Sequence, residues 1–341
     1  MIQLLQPADG SVIAPLDEER SRIVNDPRWE TDPVHDPLIK TDPEKDLSKP
    51  DGLLFQWSAP GEALLEIARD PDFTQIEQSL SRFNSACVYN LCMEQRYYWR
   101  VRTAEETSGV FTFITGRGVR MIHLPDVTNV RDMGTWRTSD GKKIRQGLLY
   151  RGAKFNVISE RDILPAITEE GIRVLLNDLK VRTELDLRAD GISTVSNGRY
   201  GFHYIKSGLS AYATWGTEGV FAPEQRESLC RIFHILAVKA FYPVYFHCAG
   251  GGDRTGTLAY LLEMILGVSH EDAVRDYEFS VLSVSGERQR YSEVWVKFME
   301  RLERFGGDSR KEQVERFLAE CGVTSAVLDS IREILLEEDH I

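Results

Sequence analysis

The stretch His247-Cys248-Ala249-Gly250-Gly251-Gly252-Asp253-Arg254-Thr255-Gly256 joins a cysteine to an arginine six positions later through a run of glycines. An apolar run, Phe241 to Phe246, leads in, and an apolar-periodic segment, Thr257 to Leu266, leads out, so the pattern predicts strand, tight loop and helix. A loop of this kind turns its backbone N–H groups inward and sits on a helix N-terminus, which makes a ready site for a phosphate dianion. The same positive end favours the ionised form of a thiol placed there, so Cys248 is expected as a thiolate nucleophile. Arg254 has the planar fork needed to grip two oxygens of the bound anion. Ala249, Gly250, Gly251, Gly252, Asp253 and Arg254 together form the expected anion cradle. Of the five cysteines only Cys248 has an arginine six places on. The competing reading is a buried free cysteine ending a core strand, and it gives no reason for an arginine folded back over the turn.

Outward from this loop the pattern is that of an α/β domain. Thr168-Glu169-Glu170 opens an amphipathic helix to about Leu179, with Ile172, Leu175, Leu176 and Leu179 on one face, and Ser159 or Asp162 is placed to cap a short helix before it. Val181 to Leu187 and Phe202 to Ile205 read as strands, and Glu224 to Ala240 as a helix. Further helices are expected at His270–Phe279, Tyr291–Phe305 and from about Ser325 to Glu337. Strands alternating with helices imply a mostly parallel central sheet flanked by helices, with its site beyond the carboxyl ends of the strands, where Cys248 and Asp186 both emerge.

Residues 1–116 read differently, as an all-β sandwich. Leu53 to Trp57 and Ala63 to Ile67 look like neighbouring strands separated by the turn Ser58-Ala59-Pro60-Gly61. Tyr97 to Arg102 alternates bulky and charged residues, as a strand with one buried face does, and Val110 to Ile114 gives a last strand. Trp57 and Trp99 fall in these alternating strands and are read as core rather than as ligand platforms. Near residues 17–50 lies an acidic insert with Asp-Pro at 26–27, 32–33, 36–37 and 42–43, expected as an extended loop because proline breaks both helix and ladder. Thr115 to Arg120 is the most linker-like stretch, which puts the second domain at 117–341.

Composition narrows the partners. The 341 residues carry a net charge of −12, which disfavours nucleic acid and an anionic membrane surface. No apolar run reaches membrane-spanning length, and Met1 to Pro7 lacks a basic stretch followed by an apolar one. The expected location is therefore cytoplasmic as the sequence stands, or secreted or periplasmic if a leader has been removed. The unpatterned cysteines suit a reducing compartment, and no H-E-x-x-H or C-x-x-C pattern points to a metal or other cofactor.

The loop resembles the H-C-x5-R-[ST] signature of cysteine-dependent protein tyrosine phosphatases. Its ending is similar to the H-C-x-x-G-K-D-R-T-G loop of atypical bacterial tyrosine/dual-specificity phosphatases. Asn129-Val130-Arg131-Asp132-Met133-Gly134, Gly147 to Gly152, Leu185-Asp186-Leu187-Arg188, Asp276-Tyr277 and the segment Val314 to Leu336 extend the likeness from about residue 117 to the end. The N-terminal part resembles a fibronectin III or immunoglobulin-like domain, whose ligand is unknown.

The resemblance implies hydrolysis of phosphate monoesters in two steps through a cysteinyl-phosphate on Cys248, with no metal. It points to Asp186 as the general acid. The other reading of Asp186 is a structural carboxylate paired with Arg188. Asp253 is the second candidate and Glu218 a third. His247 is expected to support the thiolate loop and Thr255 to donate a hydrogen bond to the sulfur. Asn129, Arg131 and Asp132 are expected in a structural network beneath the loop. The related loop carries lysine where this chain has Gly252, which weakens a polyanionic substrate. A phosphorylated protein or peptide, phosphotyrosine first, is the expected partner, with Tyr212, Trp215 and Phe221 as candidate walls of the slot. The alternatives are a phosphoinositide or inositol-phosphate phosphatase and a non-catalytic phosphoprotein-binding module.

Overall fold

In the run Leu53-Leu54-Phe55-Gln56-Trp57-Ser58, alternate residues Phe55 (0% exposed) and Trp57 (2%) sink into a core while Ser58 faces solvent. The structure, a computed structural model, describes residues 1–28, 46–156, 165–189, 200–212, 218–284 and 289–338. By their contacts the residues divide into Met1–Asp17 with Pro50–His123, and Glu18–Lys49 with Leu124–Ile341.

The first unit holds two sheets. One has the order β1 (Gln3–Gln6), β3 (Leu53–Ser58), β6 (Ser85–Val88). The other has the order β2 (Ser11–Ile13), β8 (Phe111–Thr115), β7 (Arg96–Arg102), β4 (Ala63–Ala68), β5 (Ile76–Arg82). All pairings are antiparallel except β2 with β8. The strands β3 and β4, expected side by side, lie in different sheets, so the turn between them carries the chain across the core. That arrangement lets the apolar faces of both strands share one interior with Tyr97, Trp99 and Phe113. The Trp99 and Phe55 rings meet edge to face, with centroids 5.1 Å apart.

Two expectations about the boundary are corrected. Residues 117–123 belong to the first unit: the buried Arg120 donates to the carbonyls of Leu91 and Asn90, and the His123 N–H donates to Asn90 Oδ1 at 2.8 Å. The insert is not an extended loop throughout, since Glu18–Val24 forms a helix, α1, that stops before the Asp26-Pro27 pair. The other three Asp-Pro pairs lie outside the described residues.

In the second unit the sheet order is β12 (His203–Lys206), β11 (Thr183–Asp186), β13 (Val244–His247), β10 (Leu149–Gly152), β9 (Arg131–Asp132). Every pairing is parallel except β9 with β10. The helices are α2 (Glu169–Arg173, continued by a wider turn Val174–Asp178), α3 (Gln225–Leu236), α4 (Asp253–Leu266), α5 (His270–Glu278), α6 (Glu293–Glu303), α7 (Arg310–Glu320) and α8 (Ser325–Leu335). The helix α4 is buried on all sides from Thr255 to Leu266, as a helix apolar all round must be, and ends on Gly267 in the left-handed region at φ +89°. It begins four residues earlier than the apolar period indicates, so Asp253 and Arg254 stand in its first turn. The α7 and α8 helices take up the segment Val314 to Leu336 that resembles the family. Ser159 and Asp162 lie outside the described residues. Among the described residues no helix is long and apolar enough to cross a membrane.

Candidate active site

The central strand β13 pairs with β10 on one side and β11 on the other, and the register ends on His247 opposite both Gly152 and Asp186. The chain therefore leaves the carboxyl edge of the sheet at Cys248 and turns at once into α4. This is where parallel α/β sheets place their ligands.

The loop's peptide orientations are fixed from outside. The Cys248 carbonyl lies 2.9 Å from His247 Nδ1, and the Ala249 carbonyl accepts the Lys154 N–H at 3.1 Å. The Gly250 carbonyl accepts from Asn129 Nδ2 at 3.2 Å, and the Gly251 carbonyl from Arg151 Nη2 at 3.1 Å. In a planar trans peptide the N–H points opposite to the C=O. With four consecutive carbonyls held outward, the N–H groups of Ala249, Gly250, Gly251 and Gly252 point the other way. Those four amides donate to no described residue, which is the arrangement of an anion nest. Gly251 is required to be glycine: its φ is +76°, and an added Cβ would stand 2.6 Å from the Gly152 carbonyl carbon. Gly252 has an ordinary φ of −91° and needs no such freedom.

Cys248 lies on the floor, 3% exposed. Burial works to raise its pKa, but the Arg254 charge and hydrogen bonds from the Thr255 hydroxyl and amide outweigh it, and the thiol is shifted downward. The Thr255 hydroxyl is fully buried and makes no hydrogen bond to an oxygen or nitrogen of any described residue, and its proximity to the sulfur favours the charged thiol. Arg254 is half-buried and makes no hydrogen bond or ion pair with any described residue. Its guanidinium is thus uncommitted, and its charge acts on the Cys248 thiol. Beneath the sulfur, His247 is wholly buried and its Nε2 lies 2.9 Å from Glu184 Oε1. Burial opposes a charge on this imidazole, yet the Glu184 hydrogen bond and carboxylate prevail and hold its pKa above the usual value. Protonated, it donates from both nitrogens, to Glu184 and to the Cys248 carbonyl. Glu184 carries no motif signal and the sequence gives no hint of it.

The candidate acids fall in very different places. Asp186 is 0% exposed and accepts from Arg188 Nε at 2.8 Å, Arg188 Nη2 at 2.7 Å, the Arg188 N–H at 2.9 Å and the Tyr204 hydroxyl at 2.8 Å. Burial would raise its pKa, but the Arg188 hydrogen bonds and the charges of His247 and Arg188 bring it down to about 2. This geometry matches the reading of Asp186 as a carboxylate paired with Arg188. Asp253 is half-buried in the first turn of α4, and its Oδ1 accepts from the Tyr212 hydroxyl. Glu218 is ion-paired with Arg301 at the surface. Of the expected slot walls, Tyr212 is buried against Asp253. Phe221 packs among Phe298, Phe305 and Phe317, and Trp215 lies outside the described residues. Among the described residues no group of three or more His, Cys, Asp or Glu is placed to hold a metal ion.

Residues 122–337, more than half of the chain, match the tyrosine phosphatase family. The chain belongs to that family. A Cupriavidus necator protein, named as an inferred tyrosine-protein phosphatase, is 26% identical over 174 residues, 44% of this chain and 59% of that protein. The matched part of the chain thus spans less than two thirds of that relative. Two solved structures of the catalytic core of the Siw14 phosphatase were also found. One, titled as the PP-IP phosphatase of S. cerevisiae with citrate, shows 17% identity and a TM-score of 0.30 over 47% of this chain and 90% of that one. The other shows 16% identity and a TM-score of 0.34 over 55% and 94%. Likeness of that size says nothing of substrate.

In this tyrosine phosphatase family member the segments that resemble family motifs converge under the loop. Arg131 donates to Asp276 Oδ1 at 2.8 Å and to Asn129 Oδ1 at 2.6 Å, and Arg151 donates to Asp276 Oδ2. Asn129 and Arg151, each tied into this network, are the groups that hold the Gly250 and Gly251 carbonyls. Asp132 instead accepts from the Gly134 and Gly147 N–H groups, both at 2.7 Å, and shapes the turn leading to β10. Beside the network, Glu263 is fully buried with neither oxygen hydrogen-bonded to a described residue, and burial, with Asp276 nearby, raises its pKa well above the usual carboxyl value.

Proposed function

We propose that this protein hydrolyses phosphate monoesters through a cysteinyl-phosphate, with phosphotyrosine in a protein or peptide as the first substrate. The observation that carries the reading is the loop itself: outward-held carbonyls, inward amides, a thiol shifted toward its ionised form and an arginine with no partner among the described residues. The thiolate attacks phosphorus in line, the amides and Arg254 take up charge on the equatorial oxygens, and the bond from phosphorus to the leaving oxygen breaks. The leaving oxygen takes its proton from a carboxylic acid.

We assign that role to Asp253 rather than Asp186. Asp253 is half-buried in the first turn of α4, inside the loop itself and next to Arg254. In the second step water attacks phosphorus and gives its proton to the Asp253 carboxylate. The P–S bond breaks, and phosphate and thiolate are released. Phosphotyrosine is preferred over polyanions because Gly252 stands where the related loop has lysine and the chain carries net charge −12.

The test is a rapid-mix assay with p-nitrophenyl phosphate, followed by a panel of phosphotyrosine, phosphoserine and phosphoinositide substrates. A nitrophenol burst that vanadate blocks and Cys248→Ser abolishes supports the mechanism. No turnover of any phosphate ester by the wild type would leave only the binding-module reading. Faster turnover of phosphoinositides than of phosphotyrosine peptides would overturn the substrate preference alone.

A further inference from the structure

We propose that Ser48, from the insert that interrupts the first unit and outside the family span 122–337, is a positioning residue for the phosphate loop. The inference rests on reading the Cys248 loop as the phosphatase site.

Asn129 sits in the left-handed region at φ +60°, a conformation that is strained for a non-glycine residue and persists only where its surroundings hold it. Its amide donates to Ser48 Oγ at 2.7 Å, an acceptor 81 residues earlier in the chain. The Ser48 hydroxyl has one hydrogen and two acceptor sites. Asp46 Oδ1, which as a carboxylate can only accept, lies 2.5 Å away and takes that hydrogen. Both acceptor sites are then left for the Asn129 N–H and for Thr128 Oγ1 at 3.0 Å.

Asn129 touches the loop directly, and Thr128 reaches the strand end beside it. Asn129 Nδ2 holds the Gly250 carbonyl, and the Thr128 carbonyl accepts the N–H of Ala153, next to the Gly152 backbone on which Gly251 packs. Ser48 is itself fixed, 3% exposed, by Arg20 of α1. Arg20 donates to the carbonyls on either side, Leu47 at 2.7 Å and Lys49 at 2.5 Å. A continuous run of short contacts thus passes from α1 through Ser48 and Asn129 to the peptide whose N–H, that of Gly251, faces the anion site. Removal of the Ser48 oxygen leaves a buried N–H without its acceptor and takes away the backbone anchor of Asn129, so that Arg131 alone holds its Oδ1 while its Nδ2 faces the Gly250 carbonyl.

The experiment compares wild type with Ser48→Ala, Ser48→Cys and Ser48→Thr. Each is measured for thermal midpoint, for kcat and KM with p-nitrophenyl phosphate, and for protection of Cys248 from iodoacetate by inorganic phosphate. Loss of one buried hydrogen bond predicts about a tenfold fall in kcat/KM and weaker phosphate protection in Ser48→Ala and Ser48→Cys, with recovery in Ser48→Thr. Should Ser48→Ala fail to fold, Ser48→Cys keeps nearly the same volume with a much poorer acceptor, and its kinetics decide. Wild-type kinetics and protection in either variant, or a Thr variant as impaired as they are, overturns the proposal. A wild type with neither turnover nor phosphate protection overturns the phosphatase reading instead.

Discussion

Arg188 holds both carboxylate oxygens of Asp186 from two residues downstream, at 2.8 and 2.7 Å, where the β11 strand leaves the sheet. A carboxylate so bound is held toward its charged form, with its pKa brought down to about 2.

Asp186→Asn therefore acts on folding rather than on proton transfer. It leaves the Arg188 charge buried, and removal of one partner of a buried pair costs about 3–5 kcal/mol. The expected outcome is a thermal midpoint lowered by several degrees, with turnover per folded molecule within a few-fold of wild type. The Asp186 contribution to stability is present above the unfolded carboxyl pKa and is lost only as pH falls toward about 2, so wild type and variant converge in acid. A hundredfold loss of kcat in a well-folded Asp186→Asn protein would return the acid role to Asp186.

Asp253→Asn is expected to show the opposite pattern. Loss of a general acid costs about 10²–10⁴-fold in kcat with a phosphotyrosine peptide. The loss is smaller with p-nitrophenyl phosphate, whose leaving group needs little protonation. Because the Asp253 charge raises the Cys248 pKa, the same variant shifts the pH profile of iodoacetate alkylation downward. Equal losses on both substrates would argue against proton donation.

Thr255→Ala removes a hydrogen bond that favours the thiolate, so the Cys248 pKa moves up toward that of an ordinary cysteine. The acid limb of kcat/KM moves to higher pH in step with the alkylation midpoint. An alkylation profile identical to wild type would show that the hydroxyl plays no part.

Within the loop, two adjacent glycines should respond differently. Gly251→Ala meets both a positive φ of +76° and the Gly152 backbone at 2.6 Å, and kcat/KM is expected to fall at least tenfold, by roughly the 1–2 kcal/mol that left-handed backbone costs an alanine. Gly252→Ala, at φ −91°, should stay within about twofold in the same assay, on the scale of ordinary turn-position effects. Gly252→Lys restores the cation of the related loop and is expected to raise turnover of multiply phosphorylated substrates relative to phosphotyrosine.

Glu263→Gln tests the buried carboxyl. A folded pKa raised above the unfolded one means that the carboxyl is fully tolerated below the unfolded value and costs stability increasingly as pH rises. The amide variant is thus expected to gain in thermal midpoint over wild type at pH 8 and to gain little at pH 5. A gain of equal size at both would exclude titration as the cause.

Much of this site could be read from the chain because its chemistry is local. The Cys248-to-Arg254 spacing, the glycines and the flanking apolar runs sit within twenty-odd residues, and strand, loop and helix follow from them. Glu184 could not be found that way: it meets His247 only because β11 and β13 pair in a particular register. The same holds for Asp186, whose two readings differ only in where Arg188 and Tyr204 point. Ser48 was hidden by its neighbourhood, since an acidic, proline-rich insert gives no periodicity and its buried anchor is set by contacts 81 residues away. The strands β3 and β4 misled for a related reason: a short turn between two apolar runs is compatible with a hairpin and with a crossing between sheets.

The chain passes between its two units three times, at 17/18, 49/50 and 123/124. Neither unit is therefore a tandem cassette that one recombination event could lift out and graft elsewhere. A gene fragment opening at the start of the family match would encode every loop residue yet leave the Asn129 amide without its native acceptor. Segment 18–49 and the residues from 124 onward are therefore one contact unit although the chain separates them.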